Sequence, residues 1–213
     1  MMKKLIIILL FALGFTQPQI DWVSSYNGGN QGIKDIILTN DNNILGLGKY
    51  SGYKFDIDGT VIMNIGSQNG QTVIQDSNND YVIVGPAFCA NAPGGSEQVY
   101  AYIEKYNEEE DEVEHWFSEF SFDTPYSYYY CNGNLNMKII ETHDGGYLTN
   151  ANYVENSFTS DYTSVYNTSK LFKFDFEGNS VWEKDFNNSI QTMIKTPDDG
   201  FLLFGENEIK KIN

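Results

Sequence analysis

The chain contains no arginine. Its 13 basic residues are all lysines and stand against 29 acidic residues, which gives a formal net charge of −16. A chain this acidic is a poor partner for the phosphate backbones of nucleic acids, which bind clustered cations. The absence of arginine also removes the usual bidentate clamp for phosphates and acidic sugars. The composition therefore excludes nucleic-acid binding.

Cysteine and histidine are also scarce, with two residues of each. Two cysteines cannot form a zinc ribbon or a dense disulfide scaffold. His143 lies in a polar turn and His115 lies beside Trp116 in a predicted strand, so neither is placed to activate a nucleophile. The sequence therefore gives catalysis little support, and no cofactor is expected.

The N-terminus has the pattern of a signal peptide. A basic start, Met1–Lys4, precedes an apolar run from Leu5 to Phe15 that is shorter than the about 20 residues of a membrane span. We expect export, with residues 1–18 removed and 19–213 as one secreted, cell-surface or periplasmic domain without a membrane span. The alternative is that this run is a buried first strand or helix.

A hairpin motif occurs four times in the remaining chain. A short β-branched or alternating run leads into a polar turn, and a second apolar run follows. Asn, Asp and Gly suit such turns because they tolerate positive φ and bond to the local backbone. The four turns with their second strands are Thr39–Gly48, Asp76–Gly85, Thr142–Ala151 and Thr196–Gly205.

A second motif follows each hairpin and consists of a lysine, a hydrophobic residue and then Asp or Asn. Two copies continue in register through a glycine turn into a fourth strand, Asp56–Met63 and Asp175–Trp182. Trp116 also falls in a fourth strand, and the segment 20–26 with Trp22 matches the strand that contains Trp182. The copies of the second motif are Lys54–Asp56, Lys105–Asn107, Lys173–Asp175 and Lys211–Asn213.

The two ends of the chain complement each other in this repeat. Segment 20–26 is an isolated fourth strand, and the last unit stops after its third strand at Asn213. We therefore predict an all-β fold: a four-bladed β-propeller of four-stranded antiparallel blades, closed by pairing of the N-terminal strand into the last blade. The alternatives are a β-sandwich and a fragment of a longer propeller.

The strings T-x-D-G-G at Thr142–Gly146 and K-Φ-D-x-x-G-N-x-Φ-W at Lys173–Trp182 resemble the repeats of secreted bacterial β-propellers, which are related in pattern to PQQ-like and WD40-like blade families. The resemblance covers nearly all of the chain after the signal peptide. It implies a propeller in an extracytoplasmic location. Such families contain binding proteins as well as enzymes.

Successive turns of an antiparallel meander alternate between two faces, so the acidic turns share one face. We interpret them as solvated turns with local hydrogen bonds. A sharper alternative is a calcium site at Asp56 and Asp58, because Ca²⁺ takes clustered oxygen ligands. No other metal or cofactor is expected.

The opposite face receives two predicted long loops, 86–98 and 152–169, and the connection 121–136, all rich in Tyr, Ser, Asn and Gly. Tyrosine offers a large amphipathic contact area at low entropy cost, which suits recognition. The alternative is that these rings pack on each other and cap the blade. The predicted binding residues are Tyr126, Tyr128, Tyr129, Tyr130, Tyr153, Tyr162 and Tyr166.

The two cysteines fall on this same face, Cys89 in a predicted loop of the second blade and Cys131 in the connection that leaves it. Export would bring them into an oxidising compartment, which favours a Cys89–Cys131 disulfide. The alternative is two free thiols.

Two functions of different classes remain. The favoured one is a secreted, non-catalytic, monomeric propeller that recognises an extracellular protein or glycan through its Tyr- and Asn-rich loops. The alternative is a small secreted carbohydrate-active hydrolase with carboxylates at the central channel, for which Asp35 would be a candidate. A structural role in a surface layer is a third option.

Overall fold

All regular structure in the described part of the chain is β-structure, which confirms that the fold is all-β. The strands form four antiparallel sheets, and in each sheet the strands pair in chain order. The computed structural model describes residues 32–48, 51–66, 69–91, 97–107, 117–124, 134–158 and 163–212.

Three sheets have four strands, and the last has three within the described residues. Sheet 1 consists of β1 (Ile33–Leu38), β2 (Ile44–Gly48), β3 (Ser51–Phe55) and β4 (Val61–Gly66). Sheet 2 consists of β5 (Thr72–Gln75), β6 (Tyr81–Asn91), β7 (Glu97–Tyr106) and β8 (Phe117–Thr124). Sheet 3 consists of β9 (Asn134–Glu141), β10 (Tyr147–Phe158), β11 (Thr163–Phe174) and β12 (Ser180–Phe186). Sheet 4 consists of β13 (Ile190–Lys195), β14 (Phe201–Gly205) and β15 (Ile209–Ile212).

The first hairpin turn of each sheet has the same geometry. In sheet 3, the N–H of Thr142 donates to the carbonyl of Gly146 at 2.8 Å, and the N–H of Gly145 donates to the carbonyl of Thr142 at 3.1 Å. The fourth turn residue has positive φ, which explains the Asn, Asp and Gly of the motif. These residues are Asn42, Asn79, Gly145 and Asp199.

The core lies between successive sheets. Side chains alternate along a strand, so one strand can serve two interfaces. In β6, Tyr81 and Ile83 belong to a buried cluster with Leu45 of sheet 1, whereas Val82 belongs to a cluster with Met137 of sheet 3. A third cluster joins sheets 3 and 4. Among the described residues, sheets 2 and 3 are therefore covered on both faces and sheets 1 and 4 on one.

The first strands of successive sheets are neighbours. β1 contacts β5, β5 contacts β9, and β9 contacts β13. This order is the one that a propeller requires, with the first strand of each blade nearest the axis. The described residues contain no closed sheet, and the predicted closing strand, residues 20–26, lies outside them.

Two of the connections predicted as loops on the second face are strands over most of their length, so the prediction is wrong for these two. β10 continues to Phe158 and pairs there with Thr163 of β11. Tyr, Thr and Val suit strands, and each added residue gains a partner across the hairpin. The affected ranges are 86–98 and 152–169, whereas residues 125–133 of the connection 121–136 lie outside the described residues.

Candidate functional site

A lysine of the third strand reaches the first hairpin turn of its own sheet. In sheet 1, the Lys54 side chain is 1% exposed and its Nζ lies 2.6 Å from Asp41 Oδ2. The lysine of the second motif therefore fixes the turn of the first motif. The pairs in the four sheets are Lys54–Asp41, Lys105–Asp76, Lys173–Asp144 and Lys211–Asp198.

In sheet 2, this lysine lies between two carboxylates and a tyrosine of the next sheet. Lys105 Nζ is 2.9 Å from Asp76 Oδ2 and 2.8 Å from Asp80 Oδ2. The Tyr147 hydroxyl donates to Asp76 Oδ2 at 2.7 Å. Burial alone would lower the pKa of Lys105, but its hydrogen bonds to Asp80 and Asp76 outweigh burial and raise the pKa. The cluster ties sheet 2 to sheet 3 through a charged lysine.

The turn aspartates are held in their ionised form. Burial would raise the pKa of Asp41, but its hydrogen bonds with Lys54, Thr39 and Asn43 together outweigh burial, and the pKa is lowered. The hydrogen bond from Thr142 lowers the pKa of Asp144 to about 2. A general acid needs a pKa near the operating pH. These two carboxylates are therefore anions that hold the turns rather than proton donors.

The four first hairpin turns, which begin at Thr39, Asp76, Thr142 and Thr196, lie at one end of the sheets, here called the turn face. Turns of neighbouring sheets contact each other there and leave two shallow depressions. Asn40 Nδ2 donates to Asn79 Oδ1 at 2.8 Å, and His143 Nδ1 lies 3.2 Å from Asp199 Oδ1. The depression between sheets 1 and 2 has a volume of about 510 Å³, and the one between sheets 3 and 4 about 380 Å³. Amides and carboxylates line the first, including Gln75, Asn78, Asp80 and Asn107.

Asp35, the carboxylate named for the hydrolase alternative, binds backbone groups. Its Oδ2 accepts a hydrogen bond from the N–H of Val73 in β5, and its Oδ1 accepts one from the N–H of Ile36, both at 3.0 Å. Asp35 therefore joins the first strands of sheets 1 and 2.

The turn between β3 and β4 also uses its aspartate internally. Asp56 Oδ1 accepts hydrogen bonds from the N–H of Asp58 at 3.0 Å and of Thr60 at 2.8 Å. Asp175 is bonded in the same way in sheet 3. The described residues contain no group of three or more His, Cys, Asp or Glu side chains that could hold a metal ion.

Two long hairpins dominate the end of the sheets opposite the turn face. β10 pairs with β9 only as far as Val154, but its pairing with β11 continues to Phe158. β6 similarly passes the end of β5 and reaches Asn91. The chain between β8 and β9 begins and ends here as well, because Thr124 and Asn134 lie at this end of sheets 2 and 3.

The structure divides the predicted tyrosine set. Tyr153 lies in β10, is 1% exposed and belongs to the apolar cluster between sheets 2 and 3. Its ring is therefore not part of a surface. The backbone of Tyr166 lies in β11, opposite Glu155. Outside the described residues lie Tyr126, Tyr128, Tyr129, Tyr130 and Tyr162.

The predicted disulfide involves one residue inside the described part of the chain. The backbone of Cys89 lies in β6, paired with Val99, in the part of the hairpin that extends beyond β5. Cys131 lies outside the described residues, as do His115 and Trp116. The Cys89–Cys131 disulfide stays a prediction.

Sequence reasoning missed the polar side chains that join one sheet to the next. Asn150 Nδ2 donates to the carbonyl of Ile190 at 2.8 Å, and Asn152 Oδ1 accepts from its N–H at 3.1 Å. Both asparagines are buried. The available signal was Asn150, an amide inside the predicted second strand of its hairpin, because a buried amide needs partners; Asn152 fell in a predicted loop.

The fold and these junctions define a class: an all-β chain of four antiparallel sheets, stacked in chain order with their first strands adjacent. Comparison with protein-family models and with curated proteins gives no match. No helix in the described part of the chain is long and apolar enough to cross a membrane.

Proposed function

We propose that the chain is an exported, non-catalytic β-propeller that binds an extracellular protein or glycan at the end opposite the turn face. The observation that carries this proposal is the pair of long hairpins, β6–β7 and β10–β11, at that end. Rigid hairpins can hold recognition residues in place, and tyrosine is the residue type best suited to a low-entropy contact.

The proposed binding residues are tyrosines of two segments, the connection between β8 and β9 and the β10–β11 hairpin. Their rings can stack on sugar faces or fill protein pockets, and their hydroxyls can form hydrogen bonds. Tyr153 is left out because its ring is buried. The remaining residues are Tyr126, Tyr128, Tyr129, Tyr130, Tyr162 and Tyr166.

Binding is favoured over hydrolysis because of what three of the described carboxylates do. A glycosidase pairs a general acid of raised pKa with a second carboxylate. Asp35 is occupied by two backbone N–H groups, and the pKa values of Asp41 and Asp144 are lowered. Each of these groups serves the fold in a way that conflicts with acid catalysis.

The proposed ring closes when segment 20–26 pairs with β15. Within the described residues β15 pairs only with β14, so its other edge can accept a strand. Hydrogen exchange of the secreted protein tests this: the β15 amides that do not bond β14 should be protected. Rapid exchange at those amides would contradict strand addition at this edge.

A Cys89–Cys131 disulfide would stabilise this binding end by about 2–4 kcal/mol. Thiol titration of the denatured, unreduced protein should find no reactive thiol, and two after reduction. Two reactive thiols before reduction would contradict the bond. The same sample gives the mature N-terminus by mass spectrometry, which should lie near residue 19.

The binding proposal is tested on a glycan array and a panel of extracellular proteins. Replacement of Tyr128, Tyr129 and Tyr130 by alanine should abolish capture of any ligand found, whereas His143→Ala on the opposite face should leave it unchanged. Loss of capture in His143→Ala alone would move the site to the turn face. Release of sugar products from a captured glycan would support the hydrolase instead.

A further inference from the structure

The first strand of each sheet presents alternate side chains to the preceding and the following sheet. In β5, Val73 packs in the cluster shared with sheet 1, whereas Ile74 packs against the cluster shared with sheet 3. Positions are counted here from the first residue of the following turn, which is Asp76 in sheet 2. The residue three before the turn faces the preceding sheet, which is called backward here. The residues two and four before the turn face the following sheet, which is called forward.

Two adjacent side chains at the start of sheet 2, Gln71 just before β5 and Thr72 within it, hold the backbone of β9. Thr72 Oγ1 donates to the carbonyl of Met137 at 2.8 Å, and Gln71 Oε1 accepts from the N–H of Met137 at 3.0 Å. Gln71 Nε2 also donates to the carbonyl of Leu135. The backbone N–H and the carbonyl of Met137 are thus both bonded by the Gln–Thr pair, and sheet 2 is fixed to sheet 3.

The same Gln–Thr pair occurs at the same place in sheet 4. Gln71-Thr72 stand five and four residues before their turn, and Gln191-Thr192 stand five and four residues before Thr196. Gln191 and Thr192 are exposed. The next forward-facing residue, Ile194, is 47% exposed, whereas its counterpart Ile74 packs against a core cluster. Sheet 4 therefore has the same Gln, Thr and Ile side chains that sheet 2 uses to contact the following sheet, but no described residue covers them.

In β1, the side chains that face backward are the exposed ones. Ile36 stands three residues before its turn and is 59% exposed. Its counterparts Val73, Ile139 and Met193 are 1%, 3% and 4% exposed, because a preceding sheet covers each of them. Leu38, on the same face of β1, is 71% exposed. β1 is the one described first strand without a sheet in front of it.

We propose that Gln191 and Thr192 hold the backbone of β1 in the same chain and so form a fourth junction. By correspondence with sheet 2, Thr192 donates to the carbonyl of Lys34, and Gln191 accepts from its N–H and donates to the carbonyl of Gly32. Lys34 is the residue that the bulge in β1 leaves out of register with β2. The same junction buries Ile36 and Ile194.

The connection lengths favour the same chain over a second copy. This junction rests on the closed propeller proposed above, in which segment 20–26 completes sheet 4. Residues 27–32 then link sheet 4 to β1, just as residues 67–71 link sheet 1 to β5. A link this short places β1 directly beside sheet 4, and a tethered partner has a high effective concentration.

The test compares two double variants with a control. Gln191→Ala/Thr192→Val should raise the equilibrium constant for urea unfolding by roughly tenfold, as expected for lost hydrogen bonds. Gln71→Ala/Thr72→Val sets the scale for an existing junction. Thr60→Val, an exposed threonine in the β3–β4 turn, should change the constant by less than about twofold. Equal effects of Gln191→Ala/Thr192→Val and Thr60→Val overturn the proposal.

Hydrogen exchange and light scattering identify the partner. The Lys34 amide should be protected in the wild-type monomer and should exchange faster in Gln191→Ala/Thr192→Val. Protection of Lys34 only in a dimer assigns the contact to a second copy and also overturns the proposal. Closure by segment 20–26 is measured separately at the β15 amides, and ligand binding is measured on the array. Failure of the fourth junction, of closure or of ligand binding can therefore be told apart.

Discussion

At the scale of single residues, Lys54 places a charged group in the described core. Its side chain is 1% exposed, its Nζ lies 2.6 Å from Asp41 Oδ2, and the centroid of the Tyr81 ring lies 5.7 Å from that nitrogen. Removing Asp41 takes a counter-charge from a buried lysine, which is costly, whereas removing Lys54 leaves a carboxylate that water can still solvate because its side chain is half exposed. The two halves of this pair should therefore respond differently to substitution.

We expect Asp41→Ala to lower the free energy of unfolding by about 2–3 kcal/mol and Lys54→Met by less than about 1 kcal/mol. The estimate for Asp41 is below the usual range because its side chain is 49% exposed and water can reach the pair. Urea unfolding at neutral pH measures both, with exposed Lys184→Met as the control. A larger loss for Lys54→Met than for Asp41→Ala would contradict this account.

Asp144 should make stability depend on pH in the acid range. Its pKa is lowered from 3.8 to about 2, chiefly by the hydrogen bond from Thr142 and also by Lys173. A carboxyl group with a lowered folded pKa stabilises the fold above its unfolded pKa and loses that contribution as the pH falls. The window is therefore between about pH 4 and pH 2.

We expect Asp144→Asn to cost about 0.5–1 kcal/mol at pH 7, a modest value because the side chain is 66% exposed. The variant should also lose less stability than the wild type between pH 4 and pH 2. Urea titrations at pH 7, 4 and 2.5 measure both effects, with Asp58→Asn in the β3–β4 turn as the control. Parallel pH profiles for Asp144→Asn and the wild type would refute the role of this carboxylate.

At the scale of elements, the hairpins were predictable because their signals are local. Asn and Gly tolerate positive φ, so these residue types alone indicated the turns. The structure has positive φ at Asn42 and Gly145. The extended strands were missed because Tyr- and Asn-rich runs read equally well as loops, and only pairing across the hairpin decides. The contact of Gln71 with Met137 joins residues far apart in sequence, so composition could not reveal it.

The turn between β9 and β10 allows a matched pair of glycine substitutions. A Cβ on Gly146 would overlap the carbonyl oxygen of Phe174, whereas a Cβ on Gly145 would meet no atom within 4 Å. Gly145 has φ +78°, and asparagine occupies the corresponding position at Asn42 and Asn79. The two adjacent glycines are thus required for different reasons, one for space and the other for backbone conformation.

We expect Gly146→Ala to lower the free energy of unfolding by about 1–3 kcal/mol, the usual cost of overpacking. Gly145→Asn should cost less than about 0.5 kcal/mol, because asparagine tolerates the left-handed region. Thermal denaturation followed by circular dichroism ranks the two variants. If Gly145→Asn proved the more damaging, the close approach of β11 to this turn would not be the reason for Gly146.

At the scale of the whole molecule, charge of one sign is the dominant long-range term. The net charge of −16 makes the compact chain repel itself, and this repulsion acts over distances that salt screens. The lysine–aspartate pairs act at about hydrogen-bond distance, and Lys105 is 12% exposed beside Asp76, so salt weakens them less. The proposed loss of residues 1–18 would remove Lys3 and Lys4 and increase the imbalance.

Salt should therefore stabilise this protein. We expect the midpoint of thermal unfolding to rise by about 2–4 °C between about 10 mM and 500 mM NaCl, which corresponds to about 1 kcal/mol for a domain of this size. Asp58→Lys/Glu177→Lys, which reverses two exposed turn charges, should show a smaller rise. KCl should match NaCl if screening is the cause. A midpoint that falls with added salt would mean that the ion pairs outweigh the repulsion between the turns.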